Sequence, residues 1–269
     1  GTRTIQIGSD SMSRFVGTTV LCLLFAAGSA AQDVAICYDG GLPTLGLNDG
    51  PGFAQLLVDE LGSHGVSAEI VDAPGLAEYM NANPEGIMLV CQGIMPGTIF
   101  QAEGEDDLIY GWLRGGGIGG FVGDYPFYYW DAVANAPGGA GQVSVFGVTV
   151  TNGTPSSVTP TALGAELIPS LDDWVSNRPA GLGVLEANGF EFESYADDGS
   201  NSDPIAYRTE DMKGWFINFH TSCCGTNAPP NEQMAIEYGE LISNRFAVDL
   251  PVRPAGKTSV AWAKLKSAD

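Results

Sequence analysis

Hydrophobic positions along this chain follow two alternating spacings. Short, mostly apolar runs at 33–38, 86–91 and 118–122 read as strands, and 66–71 reads as another. Between them, large apolar residues recur every three or four positions. Phe53, Leu56, Leu57 and Leu61 follow the start signal Asn48-Asp49-Gly50-Pro51 and predict a helix ending at Gly62 or Gly65. A weaker helix is expected over 75–81. A third spans 106–114, where Leu108, Ile109, Trp112 and Leu113 share one face before Gly115, Gly116 and Gly117 end it. The resulting order, β-α-β-α-β-α-β, implies a parallel, doubly wound sheet with 33–38 as a central strand. The unbroken apolarity of 86–91 predicts burial on both faces.

Beyond Trp130 the pattern loosens. Residues 135–141 read as a linker, 143–151 as a β-rich segment, and Thr159-Pro160 as the cap of a helix reaching about Leu167. Strands are expected at 190–195, 205–208 and 215–220. Asn231 then caps a helix with Met234, Tyr238, Leu241 and Ile242 on one face. The expected fold is α/β, a flavodoxin-like three-layer sandwich with a mostly parallel doubly wound sheet. Three segments are expected: an N-terminal extension and signal peptide over 1–31, one α/β domain over 32–247, and a C-terminal tail over 248–269. No repeat of solenoid length occurs.

Residues 14–31 change the picture of where the protein works. A basic start at Arg14, an apolar run from Phe15 to Ala27 and the small residues Ser29-Ala30-Ala31 read as a secretory signal peptide cleaved after Ala31, with Met12 as a natural initiator. The expected location is periplasmic or extracellular, with no stable membrane span after cleavage. The formal charge is −21, and −22 once Arg3, Asp10 and Arg14 leave with the leader. A surface so acidic excludes nucleic acid and anionic membrane as partners. No EF-hand spacing or acidic repeat supports calcium binding.

Four cysteines remain after the leader: Cys37, Cys91, Cys223 and Cys224. An exported protein meets oxidising conditions, so all four are disulfide candidates. Cys37 and Cys91 read either as small buried hydrophobes or as one bridge; Cys223-Cys224 reads as a vicinal disulfide or as a source of one bond to Cys37 or Cys91. No Cys-x-x-Cys or His-x-x-x-His pair exists, so no metal site is expected. The glycines of 115–120 precede a strand instead of opening a helix, and no Gly-Lys-Ser/Thr follows them, so no nucleotide cofactor is expected. No Gly-x-Ser-x-Gly elbow occurs either.

Candidate chemistry falls just after the predicted strands. In open α/β sheets ligands bind outside the C-terminal strand ends, and Asp39, Gln92, Asp124 and His220 lie there. Tyr125 opens an aromatic run, Tyr125-Pro126-Phe127-Tyr128-Tyr129-Trp130, which reads as a binding platform or as a lid packed on the sheet edge. The expected ligand-binding set is Asp39, Gln92, Asp124, Tyr125 and His220.

Three stretches resemble the class I glutamine amidotransferase-like superfamily, and its trehalose-utilisation-like branch in particular. They are Leu108 to Gly123 (helix, glycine cluster and strand), Tyr195 with Pro204, and Lys213 to His220. The resemblance covers most of 33–246. It implies a nucleophilic cysteine in the turn after the glycine-led strand and a histidine after a later strand. His220 matches the histidine, but the turn reads Val122-Gly123-Asp124-Tyr125 and has no thiol. Glutamine hydrolysis by this superfamily needs a thiolate attacking the amide, so no glutaminase activity is expected. The function expected on this resemblance is an exported amidotransferase-like domain that binds a small polar ligand or a protein partner at the C-terminal edge of the sheet. The alternative is a secreted hydrolase, glycan-directed in one version, using His220 with Cys91 or Asp124; the candidate catalytic residues are therefore His220, Cys91 and Asp124.

Overall fold

The computed structural model describes residues 33–45, 50–131, 134–135, 139–221 and 229–249. The expected leader over 1–31, Cys223, Cys224 and the tail beyond Asp249 lie outside the described residues. In chain order the first half contains β1 (Val34–Cys37), α1 (Gly50–Ser63), β2 (Ala68–Val71), α2 (Ala73–Ala82), β3 (Ile87–Val90), α3 (Leu108–Gly115) and β4 (Ile118–Gly123). The second half contains β5 (Tyr129–Trp130), β6 (Ala134–Asn135), α4 (Ala140–Phe146), β7 (Ser156–Pro160), α5 (Ala162–Leu167), β8 (Trp174–Ser176) and β9 (Ala180–Gly181). It continues through α6 (Leu182–Ala187), β10 (Glu191–Ser194), β11 (Ala196–Asp197), β12 (Asn201–Ser202), β13 (Ile205–Arg208), β14 (Phe216–Thr221) and α7 (Asn231–Leu241).

A seven-stranded sheet runs in the order β10-β13-β14-β4-β3-β1-β2. The strands from β2 to β14 are parallel, whereas β13 pairs antiparallel with both β14 and β10. That reversal has a simple cause. Only residues 209–215 separate β13 from β14, too few for the dozen or so that a parallel crossover needs. The expected central strand, β1, lies second from the edge, although all four of its residues are buried. Helices α1 and α7 cover one face, packing Phe53, Leu57, Tyr238 and Leu241 on Ile36, Leu89, Ile217 and Phe219. Helices α2 and α3 cover the other, packing Leu76, Met80, Ile109 and Trp112 on Met88, Val90, Phe121 and Phe216. This mixed α/β arrangement, a mostly parallel sheet flanked by helices, is compatible with a flavodoxin-like fold.

One expectation for the second half is corrected. The β-rich reading of 143–151 fails because 140–146 is helix α4, closed at both ends by Gly139 and Gly147 in left-handed conformation. Val145 and Phe146 turn inward from it, and Phe146 packs edge-on against Phe127, Tyr207 and Phe216. The polar stretch from 156 to 202, outside the helices, also supplies a second, antiparallel sheet in the order β8-β7-β11-β12-β9.

Cys37 and Cys91 are both free and buried, so of the two readings the small buried hydrophobes hold and the bridge between them does not. Cys37 pairs in register with Val90, one residue before Cys91. Successive side chains in a strand point to opposite faces, so the two thiols belong to different cores. Burial, with help from nearby Asp39 and Asp72, pushes the Cys37 thiol up to about 12. Burial likewise holds Cys91 well above its ordinary value. Among the described residues no helix is long and apolar enough to cross a membrane. Among the same residues no group of three or more His, Cys, Asp and Glu side chains could hold a metal ion.

Candidate functional site at the ends of β4 and β14

Strand β4 ends in a sharp turn at Gly123, where φ is +123°. A Cβ added there would lie 2.6 Å from both Gly93 Cα and Leu45 O, so backbone on two sides reserves the position for glycine. Position 123 is therefore closed to any side chain. Asp124 follows. Its Oδ1 accepts from the Tyr125 amide at 2.8 Å and lies 3.9 Å from Nε of Arg178. Desolvation raises the Asp124 carboxyl above its ordinary range, while the Tyr125 amide and Arg178 pull it back.

The neighbouring strand β14 places His220 at the same end of the sheet. Phe219 pairs with Val122 and Thr221 with Gly123, so His220 is the extra residue of a bulge, with φ of +47°. Strict alternation would send its ring to the face opposite Phe219. The bulge instead turns it toward α7, where Nε2 hydrogen-bonds Oε2 of Glu237. Its ring also packs edge-on against Trp174 and Phe219, each with centroids 4.5 Å away. His220 and Glu237 are each about 1% exposed, so the pair is buried. The second Glu237 oxygen accepts from Nε2 of Gln233 at 2.6 Å. Tyr238, beside Glu237, stacks on Phe219 at 4.3 Å and fixes α7 against β14.

A second buried acid completes the cluster. Oδ2 of Asp203 accepts from the Thr221 amide at 2.9 Å and from Oγ of Ser176 at 2.6 Å. Trp174 donates its indole N–H to the Asp203 carbonyl at 2.9 Å. Oγ1 of Thr221 lies 2.6 Å from Asp203 Oδ2 and 2.8 Å from the Arg178 carbonyl, yet has one proton to donate. Both contacts are satisfied when Asp203 carries a proton. Desolvation indeed raises the Asp203 carboxyl, against the pull of His220 and of its hydrogen bonds.

A raised native pKa means that the folded state holds a proton after the unfolded chain has lost it. The Asp203 contribution is thus fully present below the ordinary carboxylate pKa and is lost as pH rises through the raised value. In Asp203→Asn that part of the decline should vanish, whatever the substitution itself costs. Urea unfolding across pH 4 to 8 is the check, and an unchanged slope would refute the assignment.

The segment 174–178 is what sequence reading missed. Trp174 reaches His220, Ser176 reaches Asp203, and Arg178 reaches Asp124, so one short stretch ties the ends of β4 and β14 together. Glu237 and Asp203 were also missed. The available signals were a lone Trp174 in a polar run and a Glu237 on the otherwise apolar face marked by Met234, Tyr238 and Leu241.

The other expected residues divide. Asp39 and Gln92 do meet, but on each other: the Asp39 amide donates to Oε1 of Gln92 at 2.7 Å, and Nε2 of Gln92 donates to the Asp39 carbonyl at 2.9 Å. The Asp39 carboxylate accepts from the amides of Gly41 and Ala73. This pair closes the loop after β1. Cys91 lies in the apolar core with Leu89 and Val122. The aromatic run splits as well. Phe127 is buried among Phe100, Phe146 and Phe216, whereas Tyr125, Tyr128 and Tyr129 stay half-buried in a row of edge contacts.

No protein-family model matches the sequence, and no curated protein matches it. Two solved structures are similar over much of their length. A cytoplasmic protein of Salmonella typhimurium LT2 shares 14% identity at a TM-score of 0.46, over 78% of this chain and 96% of that one. A protein described as a GMP synthase subunit from Thermoplasma acidophilum shares 9% identity at 0.34, over 88% and 98%. At such scores the architecture rests on the strand order described above.

Proposed function

We propose that this chain is an exported domain of the class I glutamine amidotransferase-like type that has lost glutaminase chemistry and binds a small polar ligand at the C-terminal edge of its sheet. Gly123 carries the reading. The chain makes the sharp turn at the end of β4, beside a histidine on the next parallel strand, yet Gly123 has no room for a side chain and Asp124 offers a carboxylate where the resemblance implies a thiol. Polar groups remain around that turn: Asp124, its carboxyl raised by desolvation and paired with Arg178, and His220 held between Glu237 and Trp174. Export rests on the leader pattern of 14–31.

Hydrolysis is the less favoured reading. His220 with Glu237 resembles a base held by an acid. Its partners fit poorly, however, because the Cys91 thiol is buried and kept protonated, and Asp124 is turned to Arg178.

Amide NMR of the labelled protein tests the binding reading with a panel of amino acids, monosaccharides and small amines. Shifts should concentrate at Asp124, Tyr125 and 220–221. A panel that moves only residues at the opposite end of the sheet would overturn it.

A further inference from the structure

We propose that Asn152 is a self-modifying site, where the Gly153 amide closes a succinimide ring and the side-chain amide is lost as ammonia, and that Asn188 is protected from the same reaction. Asn152 and Asn188 are the two asparagines in the sequence that precede glycine. Such pairs close the five-membered ring readily, because the glycine nitrogen is held next to the side-chain carbonyl and no Cβ hinders its approach. The sequence does not rank the two sites, whereas the structure does.

At Asn152 both reacting groups are prepared. The Gly153 N–H has no hydrogen-bond partner among the described residues, and Gly153, Thr154 and Pro155 are exposed to water. Oδ1 of Asn152 accepts from the Thr154 amide at 3.1 Å, which makes an Asx turn. Attack of the Gly153 nitrogen on Cγ puts negative charge on that oxygen, so the Thr154 N–H already stands where the charge develops. At Asn188 the opposite holds. The Gly189 N–H is engaged by the Glu186 carbonyl at 3.2 Å, and Nδ2 of Asn188 donates to the Val184 carbonyl at 2.8 Å. Freeing that nitrogen means opening the end of α6, where Asn188 is the closing residue. Asn188 is the more exposed of the two, but water is needed only after the ring has formed.

The reaction balances with water alone. The Gly153 nitrogen gives its proton to solvent and bonds to Cγ, the Cγ–Nδ2 bond breaks, and the leaving nitrogen takes a proton from solvent to depart as ammonia. Water then opens the ring at Cγ, leaving aspartate, or at the main-chain carbonyl of residue 152, leaving isoaspartate with the chain routed through the side-chain carbon. Either product disturbs its surroundings. Nδ2 of Asn152 donates to Oδ1 of Asn201 at 2.9 Å, and a carboxylate there would face that oxygen with no proton between them. Turning the Asn201 amide round gives up its donation to Ser156 and Asp198. The isoaspartate also adds a main-chain atom just before Gly153, whose carbonyl accepts from Nη1 of Arg178 at 3.3 Å. Arg178 is the partner of Asp124, so the change reaches the end of β4.

The test incubates the full chain in mildly alkaline buffer made with heavy-oxygen water, then digests it in ordinary water and maps the peptides by mass spectrometry. Only carboxylates formed in the folded protein carry the label. The Asn152 peptide should gain it, in aspartate and isoaspartate forms, about tenfold faster or more than the Asn188 peptide. In urea the two rates should converge, because the ranking comes from the fold. Gly153→Ala should slow conversion at 152 about tenfold or more. Its Cβ would meet nothing within 4 Å, so thermal stability should not fall. Conversion at 188 as fast as at 152, a ratio that persists in urea, or an unaltered rate in Gly153→Ala would overturn the proposal. The ranking of the two sites needs only the unmutated chain and stands whatever the variant does.

Discussion

Gly123→Cys is expected to lower stability by about 3 kcal/mol or more and to confer no glutaminase activity. Two costs combine. A φ of +123° is hostile to any residue with a Cβ, and the new Cβ would meet backbone atoms of Leu45 and Gly93 at 2.6 Å, neither of which can rotate away. For a domain of this size that loss corresponds to a fall in melting temperature of roughly 6 to 12 °C. Gly62→Ala is the matched control. Its Cβ would meet nothing within 4 Å, and alanine is favoured over glycine by about 1 kcal/mol inside a helix such as α1. Thermal unfolding distinguishes the two. A cysteine at 123 tolerated without loss would mean that the elbow has room for a nucleophile.

The second large effect is expected at His220 and Glu237. Glu237→Ala leaves a buried imidazole and the Gln233 amide without their acceptor, and removing one member of a buried pair costs about 3 to 5 kcal/mol. His220→Phe keeps a ring between Trp174 and Phe219 but strands the Glu237 carboxylate, and should cost a comparable amount. Removing both partners together, as His220→Phe/Glu237→Leu, should cost clearly less than the sum of the single changes, because neither partner is then stranded. Denaturant unfolding of the four proteins completes the cycle. Strict additivity would show that the two side chains are not coupled.

Much of the first half of the fold was legible because its signals are local. Unbroken apolar runs mark β1, β3 and β4, and the three- and four-residue spacing marks α1 and α3 without reference to anything distant. Helix α4 was misread because Val143, Val145 and Val148 favour strands, whereas Gly139, Gly147 and the burial of Phe146 decide the outcome. The second sheet left only a faint apolar trace, Val158 and Trp174-Val175, since its short strands otherwise use mainly Ser, Asn, Asp and Thr or small residues. At the site, strand ends were enough to bring Asp124 and His220 to one edge. Where the imidazole points was not legible, because a single inserted residue in β14 reverses its face. Glu237, Asp203 and Trp174 come to His220 only through tertiary packing.

Ammonia release from glutamine by the full chain tests the central proposal, that the turn at the end of β4 carries no working nucleophile. The account predicts release no faster than in buffer, unchanged in Cys91→Ser and in His220→Asn. Release well above buffer that disappears in either variant would contradict it.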